Sequence, residues 1–99
     1  MKQVLATDQA PAAIGPYSQG IAASETVYVS GQLPLDPATG AFPEGIAAQT
    51  AQSLKNIQAI LAQQGMTLAN VVKTTVFLAD INDFAEMNKV YGEFFTQPY

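Results

Sequence analysis

The sequence predicts an α+β protein with two layers, a β-sheet covered by two amphipathic helices. Three short extended segments, the third rich in β-branched and aromatic residues, precede a long segment with helical periodicity, and a further strand candidate and a second helical pattern follow it. The predicted order is therefore strand, strand, strand, helix, strand, helix. Because each helix has one apolar face, a single sheet face that both helices cover satisfies the pattern.

The first three predicted strands span residues 2–6, 19–23 and 26–30. The third has a tyrosine between two valines, a composition typical of strands. The second and third are close enough in sequence to form a hairpin. Residues 31–45 then form a long loop, in which we expect Asp36 to open a turn and Gly40 to adopt a positive φ.

A first helix is predicted over residues 46–64, and Gly65 supplies its C-terminal stop. Its inward face would consist of Ile46, Thr50, Leu54, Ile57 and Leu61. Residues 70–79, NVVKTTVFLA, form the strongest predicted strand, which we expect to be central in the sheet. One face would consist of Val72, Thr74, Val76 and Leu78, and the other of Val71, Lys73, Thr75 and Phe77. Lys73 lies on this strand, and we expect its side chain to be solvated because lysines are rarely fully buried.

A second helix should begin between Asp80 and Asp83, since Asp83 and Glu86 have the spacing of a capping box. Its apolar stripe would consist of Phe84, Met87, Tyr91 and Phe95. Asn88 falls inside this stripe, where a buried amide needs partners. The pattern leaves two interpretations open, a hydrogen bond from the helix to the sheet or an amide that faces a ligand.

Charge and composition restrict the possible partners. The net charge is −4, there is no arginine, and the four lysines are scattered along the chain. Binding to nucleic acid is therefore disfavoured, because no basic patch can form. Charged residues make up only 12% of the chain, so the folded surface must expose much uncharged area. This composition favours an oligomer.

The residue types also exclude several kinds of chemistry. Cysteine and histidine are absent, which excludes disulfides, thiolate nucleophiles, the usual zinc ligands and a serine triad. The simplest roles for Asp80 and Asp83 are in helix capping, and Asp36 is a turn residue. No apolar run reaches the length of a membrane span, and none has the pattern of a signal peptide. We therefore expect a cytoplasmic protein without a membrane partner.

Tyr17 stands in a conformationally restricted stretch, AAIGPYSQGI at residues 12–21. The preceding Gly15-Pro16 limits the backbone, so the ring is held at low entropic cost. The side chain can supply a phenolic donor and an aromatic wall to a ligand. It can equally pack into a subunit interface, and the stretch alone does not distinguish these roles.

Five segments in order resemble the reactive intermediate deaminase (RidA) family. They are PAAIGPYSQG at 11–20, VYVSGQLPLDPATG at 27–40, AQTAQSLKNIQAIL at 48–61, VVKTTVFLADINDFAEMN at 71–88 and VYGEFF at 90–95. The likeness runs through nearly the whole chain without an evident gap. It identifies residues 1–99 as a single RidA-like domain.

The resemblance implies a chorismate-mutase-like fold, a mixed sheet backed by two helices, assembled as a homotrimer with a ligand site between subunits. It implies hydrolysis of 2-imino acids and their enamine tautomers, such as 2-aminoacrylate, 2-iminobutanoate and 2-iminopropanoate, to 2-keto acids and ammonia without metal or organic cofactor. By the same resemblance, Tyr17 would line the cleft, Ser30 and Gly31 would offer backbone groups to the substrate, and Asn88 would be a polar residue at the cleft wall.

The resemblance also implies two further strands after Tyr99, preceded by an arginine that binds the substrate carboxylate and carrying a glutamate that activates water. No catalytic residue is therefore assigned within residues 1–99, and the domain is expected to be incomplete at its C-terminus. Without those strands, backbone groups and helix surface would be left uncovered. A non-catalytic small-molecule-binding or regulatory module of the same fold is the alternative function.

Overall fold

Three β-strands, two α-helices and two short 3-10 helices make up the fold in the computed structural model, which describes residues 1–99. The strands are β1 (Lys2–Leu5), β2 (Gly20–Ala23) and β3 (Thr26–Val29), the helices are α1 (Ile46–Ala62) and α2 (Phe84–Phe94), and the 3-10 helices are Leu68–Asn70 and Ile81–Asp83. The predicted α+β class, a sheet with two helices, is confirmed. Neither helix is long and apolar enough to cross a membrane.

The sheet has the order β1-β2-β3, and both pairs of neighbouring strands are antiparallel. β2 and β3 form the predicted hairpin, with a two-residue turn in which Ser24 adopts a φ of 54°. Gly20 pairs with Leu5 on one side and with Val29 on the other. The mixed sheet that the family resemblance implies is not formed by these residues, because every paired strand is antiparallel.

The core lies where α1 crosses the sheet. Ile60 is fully buried and packs in a cluster with Leu5 and Ala10. A Cβ atom on Gly20 would lie 2.8 Å from Cγ2 of Ile60, so the helix can approach the sheet this closely only over a glycine. The core is thin, since only 11 of the 99 residues are buried. A chain with so small a core depends strongly on each buried contact.

Glycines terminate two segments as predicted. The Asp36 carbonyl accepts the Gly40 N–H at 2.8 Å, and the Asp36 carboxylate accepts the Ala38 N–H at 2.8 Å. Gly40 follows this turn with a φ of 73°. Gly65 has a φ of 69° and donates its N–H to the carbonyl of Ala62, the last residue of α1. The sequence therefore located both the turn and the end of the helix.

The predicted strand over residues 70–79 is wrong for this structure. Residues 72–79 form no backbone–backbone hydrogen bond and belong to no strand. Both faces of the segment are open, since Val72 is 99% exposed and Phe77 is 91% exposed. Apolar residues on both faces identify a segment that can be covered on two sides, but a strand also needs a neighbouring backbone to pair with. Residues 1–99 provide no such neighbour.

Two side-chain contacts involve the same segment. The Thr74 hydroxyl hydrogen-bonds the Tyr91 hydroxyl of α2 at 2.7 Å, and the Tyr91 ring stacks on Phe95 with 4.5 Å between centroids. The Lys73 ammonium donates to the Thr75 hydroxyl at 3.3 Å. Lys73 is exposed, which confirms the prediction that its side chain is solvated.

The predicted capping box at Asp83 and Glu86 is also wrong. Asp83 precedes α2 but makes no side-chain hydrogen bond to it, because a 3-10 turn leads into the helix and gives Asp83 a nearly helical backbone (φ −83°, ψ 0°). A capping side chain requires an extended residue at that position. Asp80, which is extended, accepts the Asn82 N–H at 2.9 Å instead.

Candidate functional site

Tyr17 lies on the loop that joins β1 to β2. The preceding Gly15-Pro16 folds the chain back, and the Tyr17 N–H donates to the Gly15 carbonyl at 2.8 Å. The ring lies over Gly15, where an added Cβ would be 3.7 Å from two ring carbons. Its hydroxyl oxygen accepts the Ile14 N–H at a long 3.4 Å, and the residue is 49% exposed. The phenolic hydrogen is therefore free to donate to a ligand.

Ser30, at the end of β3, connects this loop to the loop that follows it. The Ser30 hydroxyl donates to the Ser18 carbonyl at 2.5 Å, and the Ser30 N–H donates to the Gln19 carbonyl at 3.0 Å. The Ser30 carbonyl accepts the side-chain N–H of Gln32 at 3.2 Å. Both backbone groups of Ser30 thus have partners within the chain, and the expectation that they bind the substrate stays a prediction.

Gly31 is exposed, and no atom lies within 4 Å of the place where a Cβ would stand. Its φ is not in the positive range, since the positive-φ glycines are Gly40, Gly45 and Gly65. The tight strand exit that a glycine often marks is therefore absent here. Neither backbone conformation nor packing within the chain requires glycine at this position. The space beside Gly31 is open to a ligand or to another chain.

Asn88 is exposed on α2 and makes no hydrogen bond to the sheet. The interpretation of Asn88 as a buried amide that bonds the sheet is wrong, because the nearby segment over residues 72–79 forms no strand and leaves that side of α2 uncovered. Hydrogen bonds from Ser30 to Ser18 and Gln19 tie the end of β3, next to Gly31, to the loop that carries Tyr17. No hydrogen bond brings Asn88 to them, and its role at a cleft wall remains a prediction.

Two buried amides support these loops, and the sequence patterns missed both. Gln19 is 5% exposed and Asn56 is 0% exposed. The Asn56 side-chain nitrogen donates to the carbonyls of Leu33 and Leu35, at 3.1 and 3.0 Å, and so ties the loop after Gly31 to α1. The signal available for Asn56 was its position on α1, four residues before the core residue Ile60. Hydropathy alone does not reveal it, since amides are usually exposed.

Two open grooves mark the surface near these loops. One runs along the loop between β1 and β2 and includes Ser18 and Gln19, and the other lies between Asp36 and Lys55. Tyr17, Gly31 and Asn88 line neither groove. No group of three or more acidic side chains comes together that could hold a metal ion.

The sequence profile of the family described as Endoribonuclease L-PSP matches residues 7–99. The 2-iminobutanoate/2-iminopropanoate deaminase of Salmonella typhimurium is 50% identical over 97 residues, which are 98% of this chain and 76% of that protein. The chain belongs to the RidA family. The deaminase of the same name from Escherichia coli is 48% identical over 97 residues, 98% of this chain and 76% of its own length. Deaminase activity is thus established at the level of the RidA family.

Solved RidA-family structures have the same fold. The Escherichia coli YjgF gene product superposes with a TM-score of 0.92 at 48% identity, over 96% of this chain and 75% of that one. Escherichia coli TdcF with bound serine superposes with a TM-score of 0.90 at 42% identity, over 93% of this chain and 72% of that one. The RidA fold is therefore retained over the residues present here.

Proposed function

We propose that this RidA-family protein hydrolyses short 2-imino acids and their enamine tautomers, such as 2-aminoacrylate, 2-iminobutanoate and 2-iminopropanoate. In the reaction, water adds to the carbon of the protonated imine, the C–N bond breaks, and the products are a 2-keto acid and ammonium. The observation that carries this proposal is the identity of about half of all residues with proteins named 2-iminobutanoate/2-iminopropanoate deaminase.

The arrangement of the loops supports this chemistry. A protonated imine is already electrophilic, so positioning can contribute more than a strong base, and a site without histidine, cysteine or metal is adequate. Tyr17 would donate a hydrogen bond from its phenolic hydroxyl to the substrate, and the free backbone groups of Gly31 would fix the orientation of the substrate. Asn88 would complete the polar wall. No residue within 1–99 is assigned to bind the carboxylate by a bidentate pair, since the chain has no arginine.

We propose that the working form is a homotrimer with the site between subunits. The exposed sheet face supports an oligomer, because Val4, Ile21 and Tyr28 stand side by side across the three strands on it. Val4 and Tyr28 are both more than half exposed, and such apolar rows are usually covered. The openness around Gly31 agrees with a cleft that a neighbouring subunit completes. We further propose a cytoplasmic location and a single domain over residues 1–99.

The function is tested with an imine generated in situ. An amino-acid oxidase converts alanine to 2-iminopropanoate, and lactate dehydrogenase reports the pyruvate that forms as NADH is consumed. We expect the full-length protein to raise the rate of pyruvate release above that of spontaneous hydrolysis, in proportion to protein concentration. The same amount of heat-denatured protein is the control. A rate equal to that of buffer alone would refute the deaminase proposal.

The alternative is a non-catalytic small-molecule-binding or regulatory module of the same fold. This alternative predicts saturable binding of a 2-keto acid without any acceleration of pyruvate release. The family description also names an endoribonuclease, but four scattered lysines and a net charge of −4 give no electrostatic footprint for RNA.

A further inference from the structure

We propose that Gln19 is a positioning residue for Tyr17, an inference that rests on the proposed function and extends it beyond the residues that contact substrate. Gln19 is one of only two buried polar side chains in the protein. Its carboxamide lies beneath the loop that carries Tyr17. Buried amides require partners, and here all of the partners belong to that loop.

The Gln19 carboxamide binds the backbone of three loop residues. Its oxygen accepts the Thr7 N–H at 2.7 Å, and its nitrogen donates to the carbonyls of Thr7, Ala10 and Pro11 at 3.1, 3.2 and 2.7 Å. One side chain thus spans the first half of the loop from a position immediately before β2. The carboxamide end that faces these residues must be the nitrogen, because three carbonyl oxygens converge on it and each needs a donor.

The segment that carries Tyr17 is held at both ends. On the N-terminal side, Ala10 is 2% exposed and packs in the core with Ile60. On the C-terminal side, the backbone carbonyls of Ser18 and Gln19 accept the two Ser30 donors. The Tyr17 side chain makes only weak contacts, so the backbone of the loop determines where the ring lies. Gln19 is the side chain that holds the two ends of the loop together.

A double-mutant cycle on kcat/KM tests this role. Gln19→Met preserves length and apolar volume but removes the amide, and Tyr17→Ala removes the ring that the amide is proposed to position. We expect Gln19→Met to lower kcat/KM by about 10-fold in the wild-type background, because small misplacements of site groups are costly. In the Tyr17→Ala background the same change should lower kcat/KM by less than about 2-fold.

Gln49→Met is the matched control for the amide. Gln49 lies on α1 and donates its side-chain N–H to the Pro43 carbonyl at 3.0 Å, with no partner in the Tyr17 loop. Its effect should be the same in both backgrounds. If Gln19→Met likewise lowers kcat/KM by the same factor in the wild-type and Tyr17→Ala backgrounds, Gln19 only stabilises the fold and the positioning role is overturned. Should Gln19→Met fail to fold, Gln19→Asn, one methylene shorter, is measured in the same cycle.

A measurement without substrate separates this proposal from the proposed function. The chain has four tyrosines, so a protein labelled with ¹³C at the tyrosine rings gives a simple NMR spectrum, in which Tyr17→Ala identifies the Tyr17 signal. We expect Gln19→Met, or Gln19→Asn, to shift or broaden the Tyr17 signal and to leave the Tyr91 signal in place, whereas Gln49→Met moves neither. An unchanged Tyr17 signal would contradict the positioning role even if turnover had been lost. Absence of turnover in the wild type would instead contradict the proposed function alone.

Discussion

Tyr17→Phe lowers the rate of keto-acid release about 10-fold while leaving the fold and the assembly intact. The change removes one hydrogen-bond donor, which is worth about 1.4 kcal/mol when its partner is a polar substrate. The phenolic oxygen makes only one long hydrogen bond within the chain, to the Ile14 N–H at 3.4 Å. Stability should therefore change little. The measurement is kcat/KM from the coupled pyruvate assay on the full-length protein, together with native mass spectrometry of the assembly.

Tyr28→Phe is the matched control for this substitution. Tyr28 is exposed on β3 and its side chain makes no hydrogen bond to the Tyr17 loop. Removal of the Tyr28 hydroxyl should leave kcat/KM within about 2-fold of the wild type. If Tyr17→Phe dissociates the assembly without changing turnover per folded site, the ring is an interface residue and its proposed role at the site is wrong.

Asn56→Ala lowers the free energy of unfolding by about 3 kcal/mol. Asn56 is fully buried, its nitrogen donates to two loop carbonyls, and its oxygen accepts the Gln52 side-chain N–H at 2.9 Å. Truncation leaves these partners without a hydrogen bond and opens a small cavity, and both effects add. The change is measured by urea unfolding followed by far-UV circular dichroism.

Asn70→Ala gives the corresponding exposed control. The Asn70 side chain accepts the Thr67 N–H at 2.9 Å in an exposed capping box, where water replaces the lost partner. We expect a loss of about 1 kcal/mol or less. Equal losses at residues 56 and 70 would show that the loop after Gly31 is not held by the buried amide.

The local signals in the sequence predicted most of the fold. The two helices, the hairpin and the turn at Asp36 depend on contacts within short stretches, and glycines at residues 40 and 65 mark where φ must be positive. The segment over residues 70–79 was predicted incorrectly because pairing of a strand depends on a distant neighbour. The capping box was predicted incorrectly because a 3-10 turn of three residues shifted the start of α2.

The candidate site was predictable only in part. Tyr17 stood out because of its restricted position, whereas Gly31 was identified only through the family resemblance. The supports of the site did not stand out, since Gln19 and Asn56 are polar residues whose burial depends on loops folding back over them. The hydrogen bond from the Ser30 N–H likewise depends on a residue distant in sequence, since its partner is the Gln19 carbonyl.

We propose that Tyr17 and Gly31 face the substrate, and an NMR titration with 2-ketobutyrate, a product of the proposed reaction, tests this claim. We expect the Tyr17 ring signal and the Gly31 backbone amide signal to shift together and to saturate at the same ligand concentration, with the Asn88 side-chain amide following them. Saturable shifts confined to residues that line the groove between Asp36 and Lys55, with Tyr17 and Gly31 unmoved, would contradict the claim.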